Sequence, residues 1–344
     1  MRPRTRAHSE RVGVAAYNGT AMDLTARANT LTFGVEIETI GPNDFEEVLA
    51  LAVGGDVCRP LRPQPPVVRS EFGVWSVVPD ASIETTTSHP LGREFVSPVF
   101  RYPDDTNKVA GMTRALESAG FTVNASCGLH VHVGVGDRAK DPRLILAALA
   151  ASYEWSRVVH LLLCDRRLDA SFCEVHSAWA LSQFAGFYSG HQPPTYQRVM
   201  RRLLDADPRK VGPTTDKLEL PRNFGFNLTA LARHGTIEYR FFEGTLRPDL
   251  VLAYVELCAR FTALALEARP LLRAPRKPTE ANMEALLDLL GVSAESRAVL
   301  LTDEVRAHAR GLMLTSPIKV PRLDLSLLDA ESQRLARQAL RACG

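Results

Sequence analysis

The sequence predicts an α+β fold, with a mainly antiparallel sheet that has helices packed on one face and a helical C-terminal region. Three observations lead there. Short runs of β-branched and aromatic residues alternate with ionisable ones in "FGVEIE", "HVHVGV" and "TIEYRFFE", the period-2 pattern of a strand with two different faces. Long runs such as "LILAALAASYEWSRVVHLLLC" are apolar nearly all round, as buried helices are. The chain has 344 residues, 45% of them hydrophobic and 23% charged. That is ordinary globular composition, long enough to bury a large core without disulfide staples.

Taken in order, the first thirty residues are basic and lack an apolar signal-peptide core, and they are expected to be poorly ordered. "LTFGVEIETI" reads as a strand, and "GPNDFEEVLALAVGG" as a short helix with a Gly-Pro or Asn start and a Gly-Gly stop. "CRPLRPQPP" is a proline-rich loop. "GVWSVVPDASIETTT" and "GREFVSPVFRY" read as two strands separated by "SHPLG". An amphipathic helix spans residues 105–120, and the strand "HVHVGV" follows. Asp141-Pro142 then supplies a capping carboxylate and a proline suited to the first helical position. Residues 165–220 mix helix and loop. "FGFNLTALARHGTIEYRFFEGT" reads as two strands joined by a turn at His234-Gly235, and Pro248 opens another apolar helix. Beyond Pro270 the pattern is helical.

Composition narrows the function classes. A net charge of +2 gives no basic coat for nucleic acid or a membrane surface, and neither is expected as a main partner. No run approaches the length of a membrane span. The six cysteines are scattered without zinc-type spacing, which suits a reduced, cytoplasmic protein. There is no G-x-x-x-x-G-K-[ST] and no G-x-G-x-x-G after a strand.

The polar residues inside the strands need a reason. Alternation puts Glu36 and Glu38 on one strand face, His130 and His132 on another, and Glu238 and Arg240 on a third. A lone E-x-E would favour an antiparallel sheet with one wet face, and the histidine side of its strand faces either water or a site. Three strands with ionisable pairs, and few Lys, Thr or Ser among them, point to one shared site. Adjacent carboxylates repel unless a cation neutralises them. Hard divalent ions such as Mg²⁺ prefer carboxylate oxygen, and an imidazole among carboxylates suits Mg²⁺ or Mn²⁺. Asp80, Glu84 and Glu94, on the intervening strand pair, could complete such a site. Arg240 offers the planar fork that phosphate or carboxylate recognition needs. His160 reads as a core or subunit-contact residue, His176 and His191 as residues of the middle segment that could approach substrate, the three tryptophans as packing residues, "RVMRRLL" as a solvated helix face, and Glu243 as a turn glutamate or a base for an attacking amine.

The order of "FGVEIE", "DASIE" with "REFVSP", "CGLHVHVG", and "NLTAL" with "GTIEYRFFEGTL" resembles the amidoligase family. That family lies within the glutamine synthetase and glutamate–cysteine ligase superfamily of carboxylate–amine ligases. The resemblance implies a curved sheet of glutamine-synthetase-like type with helices on its outer face. It also implies an ATP- and Mg²⁺-dependent ligase working through an acyl phosphate on a small-molecule or peptide carboxylate and an amine. Residues 31–267 would form the catalytic domain, after a tail of residues 1–30 and before a helical extension over 268–344. Metal ligands would be Glu36, Glu38, His130, Glu238 and Glu94, with Asp80 and Glu84 sharing a strand face and not separable from sequence. His132 would lie nearer the nucleotide phosphates. Arg240 would face phosphate and act in the transfer, and Arg222 and Asn227 would contact phosphate or substrate. A zinc hydrolase using H-x-H and an inactive nucleotide-binding module are the competing classes, and apolar helices such as 248–267 leave a homo-oligomer open.

Overall fold

The computed structural model describes residues 21–42, 45–59, 65–85, 91–161, 184–188, 190, 192–205, 224–268 and 276–302. Its frame is an open antiparallel sheet. β1 (Thr32–Gly41) lies at the centre, flanked by β5 (Leu91–Val96) and β7 (Gly128–Gly134). β4 (Gly73–Pro79), β3 (Val67–Ser70) and β2 (Asp56–Cys58) extend the β5 side. β9 (Thr236–Glu243) and β8 (Phe226–Asn227) extend the β7 side. The order is β2-β3-β4-β5-β1-β7-β9-β8, and β6 (Phe100–Arg101) pairs with the start of β1.

One face of this sheet is apolar. Phe33, Val35 and Ile37 of β1, Val131 and Val133 of β7, and Ile237 and Tyr239 of β9 are at most 1% exposed. Each such side chain, fully buried, stabilises by roughly 1.5–3 kcal/mol. Over them lies α8 (Pro248–Glu267), which contacts both β7 and β9. It is buried along nearly its whole length because its sequence is apolar nearly all round, with buried Glu256 and Arg260 paired to each other. Proline at its first turn costs no hydrogen bond, since that N–H has no helical acceptor.

Five other helices pack around α8. They are α1 (Ala21–Ala28), α3 (Thr106–Ser118), α4 (Pro142–His160), α9 (Glu280–Leu290) and α10 (Ala294–Leu300). Asp141 caps α4 by accepting the Arg143 N–H at 2.8 Å. Thr279 and Ser293 cap α9 and α10 the same way, and Gly291 ends α9 at φ 62°. α2 (Phe45–Ala52), the short α5 (Ala185–Tyr188) and α6 (Tyr196–Asp205) complete the described helices up to β8. Arg201 and Arg202 of α6 are exposed, as a solvated face requires, while Val199, Met200 and Leu203 are buried.

Four sequence expectations are revised. Residues 21–28, within the stretch expected to lack order, form α1 against α8. The strand expected through "DASIETTT" stops at Pro79, and Asp80 to Ser82 is a turn in which Asp80 Oδ1 accepts the Ser82 N–H at 2.7 Å. A short aspartate side chain that bonds the backbone two residues on favours a turn over a ladder. "NLTALARHG" is not a plain turn, because α7 (Ala230–His234) stands between β8 and β9 and is closed by Gly235 at φ 68°. β2 and β3, unexpected from their short and irregular pattern, widen the sheet. His176, His191, Trp179, Cys164 and Arg222 lie outside the described residues.

Candidate active site

The polar face of the sheet is assembled by register. Glu36 stands opposite His130 and Gly34 opposite His132 across β1–β7. Glu38 stands opposite Glu94 across β1–β5, and His132 opposite Glu238 across β7–β9. Side chains alternate with period two, so these residues share one face while the apolar set takes the other. The histidines break up an apolar strand because their row faces this cluster and the valine row faces α8.

Three sets of donor atoms converge there, each lying within 4.8 Å of one another: Glu36, Glu94 and His130; Glu36, His132 and Glu238; and Glu38, Asp80 and Glu94. His130 Nδ1 hydrogen-bonds Glu36 Oε2 at 2.9 Å, and its Nε2 lies 3.5 Å from Glu38 Oε1. His132 Nε2 lies 3.1 Å from Glu36 Oε1, a charge contact poorly aligned for hydrogen bonding. Backbone and side-chain groups fix the donors from behind. The Gly128 N–H donates to Glu38 Oε2 at 2.6 Å, and Asn227 Nδ2 donates to Glu238 Oε2 at 2.6 Å. Thr236 Oγ1 pairs with His132 Nδ1 at 3.0 Å, which orients the ring with Nε2 toward the cluster.

Crowded acids set the electrostatics. Burial, reinforced by the charges of Glu36, Glu38 and Asp80, raises the Glu94 carboxyl to about 9. Burial also opposes ionisation of Glu36, but the His130 hydrogen bond and charge attraction from both His130 and His132 outweigh it and hold that carboxyl well below the usual range. Burial pulls His132 down, yet its contacts with Glu36 and Glu238 raise it overall. Arg240 bonds Glu238 through one terminal nitrogen, while its buried Nε has no hydrogen-bond partner among the described residues. The donor set is five carboxylates and two imidazoles. That chemistry fits a hard divalent ion such as Mg²⁺ or Mn²⁺ better than the nitrogen- and sulfur-rich surroundings of zinc.

Of the residues singled out in the sequence, the structure brings together Glu36, Glu38, Asp80, Glu94, His130, His132, Glu238 and Arg240. Glu84 falls outside all three donor sets. It is exposed beyond the Asp80 turn, and its backbone bonds Ser126 and Asn124. Asn227, expected to touch phosphate or substrate, is instead 4% exposed and committed to Glu238 and Thr229. Sequence reasoning missed Thr236, although one more step of the alternation through Glu238 and Arg240 reaches it. It also read Glu243 chiefly as a turn residue. β9 carries one extra residue opposite His130, so Val131 pairs with Tyr239 but Leu129 with Phe242. This bulge lets Phe241 and Phe242 both be buried and brings Glu243 opposite Gly128.

A cavity of about 440 Å³ adjoins the cluster, with Glu36 and His132 in its lining. The rest of that lining comes from the β1, β7 and β9 ends and the loop after β5.

Residues 29–262 match the sequence model of the family described as "Putative amidoligase enzyme". The chain belongs to that family. Curated protein sequences give no match. Among solved structures, a bifunctional glutathione synthetase from Pasteurella multocida is similar at 11% identity and a TM-score of 0.35, over 92% of this chain and 53% of that one. Apo GmaS without ligand is similar at 13% identity and a TM-score of 0.27, over 86% of this chain and 71% of that one. The chain thus spans about half the length of the glutathione synthetase, 53%. No described helix is long and apolar enough to cross a membrane.

Proposed function

We propose that this chain is an ATP- and Mg²⁺-dependent carboxylate–amine ligase of glutamine-synthetase-like type that activates its carboxylate as an acyl phosphate. The observation that carries the reading is the convergence of three donor sets able to hold a metal ion beside an arginine whose buried Nε lacks a partner among the described residues. Family membership supports it. A carboxylate is a poor electrophile because its leaving group would be oxide. Attack of a carboxylate oxygen on the terminal phosphorus of ATP releases ADP and leaves a mixed anhydride. The amine nitrogen then attacks the acyl carbon, inorganic phosphate departs, and the nitrogen loses a proton.

The chain's own work is positioning and charge placement. Glu36, His130, His132 and Glu238 would hold ions on the cavity side, and Glu38, Asp80 and Glu94 on the opposite side. Bound Mg²⁺ would neutralise phosphate oxygens during transfer. Asn227 and Thr236 keep Glu238 and His132 aimed, and Arg240 stabilises the charge that develops on the transferred group. The substrates are a small-molecule or peptide carboxylate and an amine.

Thermal unfolding with Mg²⁺, with ATP and with both tests this before any substrate is known. Ligand at about 100 times its dissociation constant stabilises by roughly 2.7 kcal/mol. We expect a shift that requires ATP and Mg²⁺ together and that Glu36→Gln abolishes without unfolding the protein. A shift with Zn²⁺ alone and none with Mg·ATP would replace this reading with a zinc hydrolase.

A further inference from the structure

The cavity beside the donor sets is built by neighbouring strands. Its floor continues the row that carries Glu36 and His132, since Gly34 pairs with His132 and Thr32 with Gly134. The two glycines leave that floor without side chains, and a Cβ at Gly34 would already come within 3.3 Å of Ser97 Oγ. One wall is the Ser97–Val99 loop after β5, and the other is the junction of α7 and β9 at His234–Thr236. β5 and β9 stand three strand spacings apart, about 14 Å. Val99 is 79% exposed. His234 is exposed on the other wall, its ring perpendicular to His132 with centroids 6.1 Å apart.

What the lining can recognise follows from the groups it offers. Beyond Glu36 and the two histidines, the described lining contains no carboxylate, amide, guanidinium or ammonium side chain. Its hydroxyls are largely committed. Ser97 donates to the Pro98 carbonyl and accepts the Val35 N–H, both at 2.8 Å, and Thr236 is bonded to His132. The described side chains of the lining therefore give the edge of a flat ring few partners. A site discriminates strongly only when it hydrogen-bonds the group that differs, because the wrong ligand then leaves buried polar groups unpaired.

We infer that this cavity takes the nucleoside end of a nucleoside triphosphate, with the phosphates directed at Glu36 and His132. It holds the base by stacking on His234 without reading its edge, so ATP and GTP are bound with little distinction. The inference rests on the nucleotide-dependent reading above and adds the selectivity of the site and the residue that governs it.

Calorimetric titration of the full chain in Mg²⁺ with ATP, GTP and inorganic tripolyphosphate tests it. ATP and GTP should bind within roughly tenfold of each other, and both more tightly than tripolyphosphate. His234→Ala should weaken ATP and GTP by about tenfold, the loss expected for one stacked base, and leave tripolyphosphate unchanged. Val99→Trp, at an exposed position, should obstruct the nucleosides and spare tripolyphosphate in the same way. Preference for ATP over GTP beyond roughly a hundredfold, or variants that affect all three ligands alike or none, would overturn the inference while leaving the ligase reading intact. Failure of all three polyphosphates to bind the wild type would remove both.

Discussion

Burial raises the Glu94 carboxyl to about 9, and the charges of Glu36, Glu38 and Asp80 push the same way. In the ion-free chain this group therefore stays protonated in the folded state at pH values where the unfolded chain has lost the proton. Unfolding releases a proton in that window, so stability falls as pH rises from about 4.5 toward about 9. His132, raised by Glu36 and Glu238, adds to the same slope above its ordinary value. Glu94→Gln should make the decline shallower when unfolding midpoints are compared across that range, and an unchanged slope would remove Glu94 from the account. Ion binding must displace the same proton. Calorimetry of Mg²⁺ binding near pH 7 in buffers of different ionisation enthalpy should show proton release in wild type and less in Glu94→Gln. Arg240 is a matter of shape as well as charge. Arg240→Lys keeps the charge beside Glu238 but loses the planar fork, so Mg²⁺ binding should survive while turnover falls by roughly a hundredfold or more. Wild-type turnover in that variant would place the phosphate contact elsewhere.

Two features of single elements set what the site can be. The bulge in β9 puts an extra residue opposite His130 and changes which side chains of "EYRFFE" share a face. Strict alternation would send Phe241 and Phe242 to opposite sides, yet both are at most 1% exposed. At the far side of the apolar layer, α10 is fastened to α8 by a buried polar network. Glu256 accepts the Arg260 Nε–H at 2.8 Å, the Ser293 N–H at 2.9 Å, and the Ser293 and Ser296 hydroxyls at 2.6 Å each. Arg260 reaches on to Thr25 of α1. Because four of these bonds converge on one carboxylate, Glu256→Ala leaves a buried guanidinium and two hydroxyls short of partners. It should destabilise the fold by roughly 3 kcal/mol, measured by urea unfolding. A loss under about 1 kcal/mol would mean that water replaces the carboxylate freely.

For the whole molecule, the described helices beyond residue 268, α9 and α10, belong to the same core as the sheet. Met283, Leu286, Leu287 and Leu290 of α9 are fully buried and join the cluster that contains Val131, Tyr239 and Leu149. Arg276 ties the segment leading into α9 to α4, bonding Glu154 at 2.9 Å and lying 5.0 Å over the Trp155 ring. Burial of those four side chains is of the order of a typical domain's entire stability. A chain ended after Ala268 should therefore lose cooperative unfolding and expose apolar surface, read by dye binding and near-UV dichroism. Retention of the full-length melting temperature would show that the sheet and α8 suffice.

Local pattern was enough for β1, β7 and the polar row of β9, and for α4 and α8, because alternation, helix caps and unbroken apolar runs are written into neighbouring residues. It also named the acids and histidines of the candidate site, since ionisable pairs on otherwise apolar strands have few other uses. Which of them meet was decided by register between strands more than fifty residues apart in the chain, as when Glu38 pairs with Glu94. A turn bond at Asp80 separated it from Glu84, and a β9 bulge repositioned Glu243. Asn227 became a support for Glu238 for the same reason: its partner lies on the next strand. The sequence thus determined the chemistry available on each strand face. Tertiary structure decided which groups share a few ångströms of space, because pairing register and bulges depend on long-range packing that no short stretch contains.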